Sequence, residues 1–186
     1  MVKNNTLKKI WYFLWESNSL LSWIADLILA FIIVKFIFFP LLSLIFASSL
    51  PMVVVESTSM LHETNFDQFW QQYGSFYEKI GITKESFINF PLKNGFDKGD
   101  IMIIQGKKDY EVGDVIVFRI HQQPTPIIHR IINKTNDTYS TKGDHNPYQL
   151  SYEKEIKKEQ VVGKAIARIP WLGWIKLIFV DFFKMF

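Results

Sequence analysis

IADLILAFIIVKFIFFPLLSLIFASSLPMVVVESTSM, residues 24–60, is the stretch on which the fold turns. An apolar run breaks at Pro51, gives way to the β-branched segment Met52–Val55, and ends on the hydroxyl-rich Glu56-Ser57-Thr58-Ser59-Met60. Ile24–Leu50 is long enough to cross a hydrocarbon core, which takes about 20 apolar residues. Its length, and the lack of a clear small-residue cleavage site after it, set it apart from a removable leader. Two charges interrupt it. Asp26 is expected at the membrane boundary, whereas Lys35 lies deeper, where a charge costs about 2.5–3.5 kcal/mol unless it snorkels or meets a partner helix. Lys3, Lys8 and Lys9 precede the run, so the positive-inside rule puts the N-terminus in the cytoplasm and the chain after residue 50 outside. The expectation is a single-pass protein of the cell membrane with an extracytoplasmic domain.

Outward from this stretch the chain divides by composition. Of 186 residues, 48% are hydrophobic, and these crowd the first third and the extreme C-terminus. Residues 1–23 mix lysines with Trp11, Phe13, Trp15 and Trp23, the pattern of a cytoplasmic or interfacial segment whose rings lie at headgroup level. Residues 24–50 are the membrane helix, and 51–169 must make the folded domain. Within it, 64–94 reads as a helical insert. Phe66, Phe69, Trp70, Tyr73, Phe76, Tyr77 and Ile80 recur at helical spacing, with Thr64 and Asp67 as a capping box and Gly81 as the stop. From Gly95 onward the pattern is β: Ile101–Gln105, Val115–Ile120, Ile127–Asn133, Thr138–Thr141 and Val161–Ile169 are short runs separated by Gly, Pro and Asn-Asp turns. Tyr152–Gln160 is charged and reads as solvated loop. Residues 170–186 are apolar with Lys176, Asp181 and Lys184 on one side, which favours an interfacial helix over a second crossing. The fold class is a mainly β domain with an N-terminal transmembrane helix, an inserted helix and a C-terminal apolar helix.

Charge and cysteine content narrow the chemistry. A net charge of +3, spread along the chain, gives no footprint for nucleic acid. No cysteine is present, which excludes disulfides, thiolate metal sites and a thiol nucleophile. A serine nucleophile needs a base within hydrogen-bond reach and a third group to hold that base in one tautomer. Ser59 follows a strand and the membrane run; His129 lies inside a β run; Asp144 follows Gly143 at a strand end. Singly each has a plainer reading, since serines and Gly-Asp pairs make turns and His62, His121 and His145 offer equally ordinary imidazoles. Together they have the layout of a membrane-tethered serine hydrolase.

The blocks that carry these residues resemble those of type I signal peptidases, in the archaeal and endoplasmic-reticulum branch. The family's Ser-x-Ser-Met matches Ser57-Thr58-Ser59-Met60, and its Gly-Asp strand starts match Lys98-Gly99-Asp100-Ile101 and Val112-Gly113-Asp114-Val115. Ile127-Ile128-His129-Arg130-Ile131, then Thr141-Lys142-Gly143-Asp144-His145-Asn146, and finally Ile169-Pro170-Trp171-Leu172-Gly173 follow in family order. The resemblance spans most of residues 52–174. It implies a signal-peptidase-like β fold with Ser59 as nucleophile, His129 as general base where bacterial members carry lysine, Asp144 orienting His129, and Ser57 lending its hydroxyl to the oxyanion hole. It implies a membrane-bound serine endopeptidase that removes signal peptides from exported preproteins, after small residues and without cofactor or metal. The partners expected are those signal peptides, the lipid bilayer, and the translocon or other membrane subunits.

Three departures stand out. Leu61-His62 replaces a proline of the family pattern. The insert is long. The family's second aspartate is missing, with no carboxylate until Glu153, so either Asp144 acts alone or Glu153 substitutes. The missing aspartate is the best support for the alternative, an inactive membrane-anchored scaffold of the same fold.

Overall fold

The computed structural model describes residues 5–121 and 123–184. Lys3, counted above with the positive-inside charges, and the last two residues of the expected 170–186 helix lie outside them. The chain divides into two compact units, one up to Ile45 and a second from Phe46.

The first unit is helical. α1 runs from Asn5 to Trp15, α2 from Leu20 to Ile33, and α3 from Phe39 to Ile45. Together with the linking turn, Leu20–Ile45 forms 26 helical residues, long and apolar enough to cross a membrane. It starts at Leu20 rather than at 24 because Ser19 caps it, its side chain accepting from the Ser22 amide. It stops short of 50, where Ala47 takes a left-handed φ of 48°. α2 and α3 are joined by a π-helical turn, Val34–Phe38. Pro40 explains the irregularity, because it has no N–H to offer the carbonyl four residues back and its ring crowds that turn. Lys35 does find partners in this helix. Its ammonium lies 5.5 Å and 5.4 Å from the ring centres of Phe31 and Phe36.

The second unit is built on one antiparallel sheet. Its strands are β1 (Met52–Val54), β2 (Ile101–Gln105), β3 (Val115–Phe118), β4 (Ile127–Lys134), β5 (Thr138–Lys142), β6 (Ile156–Lys157) and β7 (Val161–Ile169). The order is β1-β2-β7-β3-β4-β5-β6, so the last strand fills the gap between β2 and β3. Both faces are covered, which is why Val115–Phe118 reads as an unbroken apolar run instead of an alternation. Val115 and Val117 pack with Met60, Met102 and Ile104 on one face. Ile116 and Phe118 pack with Ile131, Tyr139 and Ile156 on the other.

The insert holds α4 (Phe66–Lys79) and α5 (Lys84–Phe87). Its cap is Asn65, whose side chain accepts from the Gln68 amide, so the cap sits one residue beyond Thr64. Gly81 follows the helix with φ 84°, the conformation for which glycine is suited. Phe69, Trp70, Tyr77 and Phe87 form a third cluster with Ile132 of β4. Tyr152–Gln160 is more ordered than its charge suggests. It makes two single 3₁₀ turns and β6, with Ile156 fully buried against β5. After β7, α6 (Trp174–Lys184) buries Leu177 and leaves Ile175, Ile178 and Phe179 exposed.

Candidate active site

β4 sets the site through the alternation of a strand. Opposite residues on paired strands share a face, so His129 lies on the face of Ile116 and Arg130 on that of Val115. Both are buried. His129 therefore addresses one set of partners and Arg130 another.

On the His129 side, Nε2 lies 2.9 Å from Ser59 Oγ and Nδ1 lies 2.5 Å from Glu153 Oε1. Glu153 is fully buried, and its other oxygen accepts from the Leu150 amide at 2.7 Å. That turn is why Glu153 points inward: its side chain reaches back to the Leu150 amide at the start of the 3₁₀ turn Ser151–Glu153, while its own amide donates to the Leu150 carbonyl. Since a carboxylate only accepts, His129 Nδ1 carries the proton toward Glu153 and Nε2 presents its lone pair to the serine. Ser57 Oγ is 3.1 Å from Ser59 Oγ, on the exposed side.

On the Arg130 side sits Asp144. The sequence pointed to it as the group that orients His129, and the structure does not bring the two side chains together. Asp144 accepts from Arg130 Nε at 3.0 Å and Nη2 at 2.7 Å, from Tyr77 Oη at 2.9 Å and from His62 Nε2 at 3.1 Å. The reason is the alternation of β4: a carboxylate bound to Arg130 faces away from His129. Burial alone pushes the Asp144 carboxyl up, but the Arg130 guanidinium and the His62 bond outweigh it and hold it well below the usual range. Burial and the neighbouring Asp144 in turn push the Tyr77 phenol well up. Ser59, His129 and Ser57 are thus together, Asp144 is apart, and Glu153 takes the place at His129.

The backbone of the Asp144 turn still frames the site. His145 N donates to the Ser59 carbonyl at 2.9 Å, and Asp144 N contacts Met60 Sδ at 3.4 Å. Gly143 is required by proximity, because a Cβ there would lie 2.9 Å from both His129 Nε2 and the Ser59 carbonyl. Gly99 and Gly113 answer a different need: both have positive φ, and the aspartate after each accepts from the amide three residues back. Among the described residues no group of His, Asp and Glu could hold a metal ion.

A β-sheet domain that sets a hydroxyl, an imidazole and a buried carboxylate in hydrogen-bonded series has the layout of a serine hydrolase. The comparisons with known proteins agree with the ordered blocks. The chain is 25% identical over 128 residues to the signal peptidase complex catalytic subunit SEC11 of Komagataella phaffii, covering 57% of this chain and 75% of that one. It is 30% identical over 98 residues to the SEC11 subunit of Saccharomyces cerevisiae, covering 46% and 59%. To that of Leptosphaeria maculans it is 28% identical over 99 residues, covering 47% and 57%. The match thus spans less than two thirds of the length of the latter two relatives. No family model matches. The resemblance to type I signal peptidases of the archaeal and endoplasmic-reticulum branch stands.

Proposed function

We propose that this chain is a membrane-bound serine endopeptidase that removes signal peptides from exported preproteins. Ser59 is the nucleophile, His129 the general base, and Glu153 the group that orients His129. One observation carries the reading: a single imidazole is bonded to Ser59 Oγ at 2.9 Å and to a buried carboxylate on its other nitrogen. Ser59 Oγ attacks the scissile carbonyl carbon while its proton passes to His129 Nε2. The Glu153 charge stabilises the imidazolium so formed. When the tetrahedral intermediate collapses, Nε2 returns that proton to the leaving amine, and water repeats the sequence on the acyl-serine. The Ser57 hydroxyl, beside Ser59, is positioned to donate to the oxyanion. Losing one such donor typically costs about 2.7–4 kcal/mol of transition-state stabilisation.

Leu20–Ile45 is the membrane anchor, with the N-terminus cytoplasmic and the peptidase domain, from Phe46 onward, outside. Other membrane subunits are its partners. The missing second aspartate had favoured an inactive scaffold, and Glu153 removes that ground. The test is cleavage of a preprotein by the full chain in detergent. Ser59→Ala and His129→Ala each abolish it, and His121→Ala cleaves like the parent. Near-normal cleavage by His129→Ala would rule the assignment out.

A further inference from the structure

The insert and His62 are departures from the family pattern, and neither takes part in the chemistry above. Yet together they surround Asp144 and Arg130. All five guanidinium N–H groups of Arg130 are used, and two of them go to the end of the insert: Nη1 donates to the Pro91 carbonyl at 2.7 Å and Nη2 to the Leu92 carbonyl at 3.0 Å. The others reach Asp144 and the Gly113 carbonyl. Phe87 of α5 lies under the guanidinium at 4.7 Å. Leu92 holds a left-handed φ of 52°, an unfavourable conformation for leucine, in the stretch that turns these carbonyls toward Arg130. From α4, Tyr77 donates to Asp144 Oδ1, and Phe69 stacks on the His62 ring at 3.5 Å. His62 Nε2 must carry a proton to meet the ionised Asp144, while its Nδ1 has no partner among the described residues. One turn further along α4, Tyr73 Oη meets His145 Nδ1 at 3.2 Å.

Asp144 is the hinge between this assembly and Ser59. Its own amide contacts Met60, and the next amide, of His145, holds the Ser59 carbonyl. The preceding Gly143 packs against His129 Nε2 with no room for a methyl group. A shift of the Asp144 carboxylate is therefore transmitted to both members of the Ser59–His129 pair. We propose that residues 64–94 are a brace for the reaction centre, and that Tyr77 and His62 are positioning residues that act through Asp144. This rests on the peptidase reading above.

The experiment uses the full chain in detergent, with initial rates over a range of preprotein concentrations and the folded fraction read by near-UV circular dichroism. Tyr77→Phe and His62→Leu each lower kcat about tenfold, the scale of one lost hydrogen bond to a charged group, and leave KM within about twofold. His62→Gln, whose amide can still donate to Asp144, stays within about threefold of the parent. The proposal is overturned by any of three results. These are unchanged kcat per folded molecule in both deletion variants, losses that only follow the folded fraction, or a His62→Gln as impaired as His62→Leu. Full cleavage by Ser59→Ala would instead sink the peptidase reading, and the brace with it.

Discussion

Glu153 and Asp144 are both fully buried carboxylates beside β4, and they differ in what faces them. Asp144 is saturated: a guanidinium, a phenol and an imidazole occupy its two oxygens. Glu153 has one oxygen on a backbone amide and the other on His129. Burial costs both carboxylates the same kind of solvation, so burial does not tell their roles apart. The partners do. Arg130 is permanently charged, and a charge fixed in that way is architecture. His129 can change its charge, so Glu153 faces a group whose need for compensation appears only when a proton arrives.

The largest expected effect is on the Glu153 side. Glu153→Gln keeps the shape but removes the charge and lets the amide offer either end to Nδ1. A loss in kcat of about 10³–10⁴ is expected, as when an orienting carboxylate is neutralised in a serine protease, with little change in unfolding free energy. Asp144→Asn should do the reverse. It leaves Arg130 buried without its counter-charge, a defect worth about 3–5 kcal/mol of stability, with a smaller fall in kcat per folded molecule. If Asp144→Asn cost more turnover than Glu153→Gln, the two roles would have to be exchanged.

The acid limb sharpens the contrast. Asp144 has its folded-state value depressed below the unfolded one, near 3.9. Its ionised form therefore contributes stability that is present in full above that value and lost as pH falls toward the folded one. The gap in stability between the parent and Asp144→Asn, followed by urea denaturation, should hold from pH 7 to about 5 and narrow below about 4. A gap that is constant down to pH 3 would mean that the pair is not ionised.

Most of this architecture was legible in the sequence, because it rests on periodicity and turns. The strand runs, the aromatic stripe of α4 and the Gly81 stop are local signals, and the observed boundaries shift by a few residues. The membrane run was legible in kind but not in limits, since Ser19 and Pro40 act through backbone hydrogen bonds that hydropathy does not register. The Ser59–His129 pairing came from ordered blocks. Asp144 was misread for a reason that lies on one strand: His129 and Arg130 are adjacent in the chain and so point to opposite faces. The signal was available, because a carboxylate that serves Arg130 cannot also serve its neighbour. Glu153 was harder. It lies among lysines and glutamates that look solvated, and only the missing second aspartate pointed to it. His62 looked like an ordinary histidine, and nothing local tells that α4 will seal it.

The smallest effect concerns Lys142, which precedes the Asp144 turn and is fully buried. Burial pushes its ammonium down to about 8 from an ordinary 10.5, against the pull of Asp144 and Glu153. Phe76, Tyr77 and Tyr73 lie 5.0, 5.1 and 5.8 Å away, and its Nζ donates to the Gly143 and Asp144 carbonyls. These contacts recover part of the lost solvation but not all of it. The folded protein gives up this proton near pH 8, whereas the unfolded chain holds it until about 10.4, so stability should rise with pH between those values. Below pH 8 the buried charge costs up to about 3 kcal/mol, and removing it strands two carbonyls worth about 1 kcal/mol each. Lys142→Met should therefore be more stable than the parent by about 1 kcal/mol at pH 7, and the gain should vanish or reverse by about pH 10. Asp144 and Lys142 thus carry charges of opposite consequence on one turn, the first stabilising the fold and the second burdening it, although stability rises with pH through both titrations. A parent-minus-variant difference that is flat from pH 7 to 10 would show that Lys142 is not burdened by its charge.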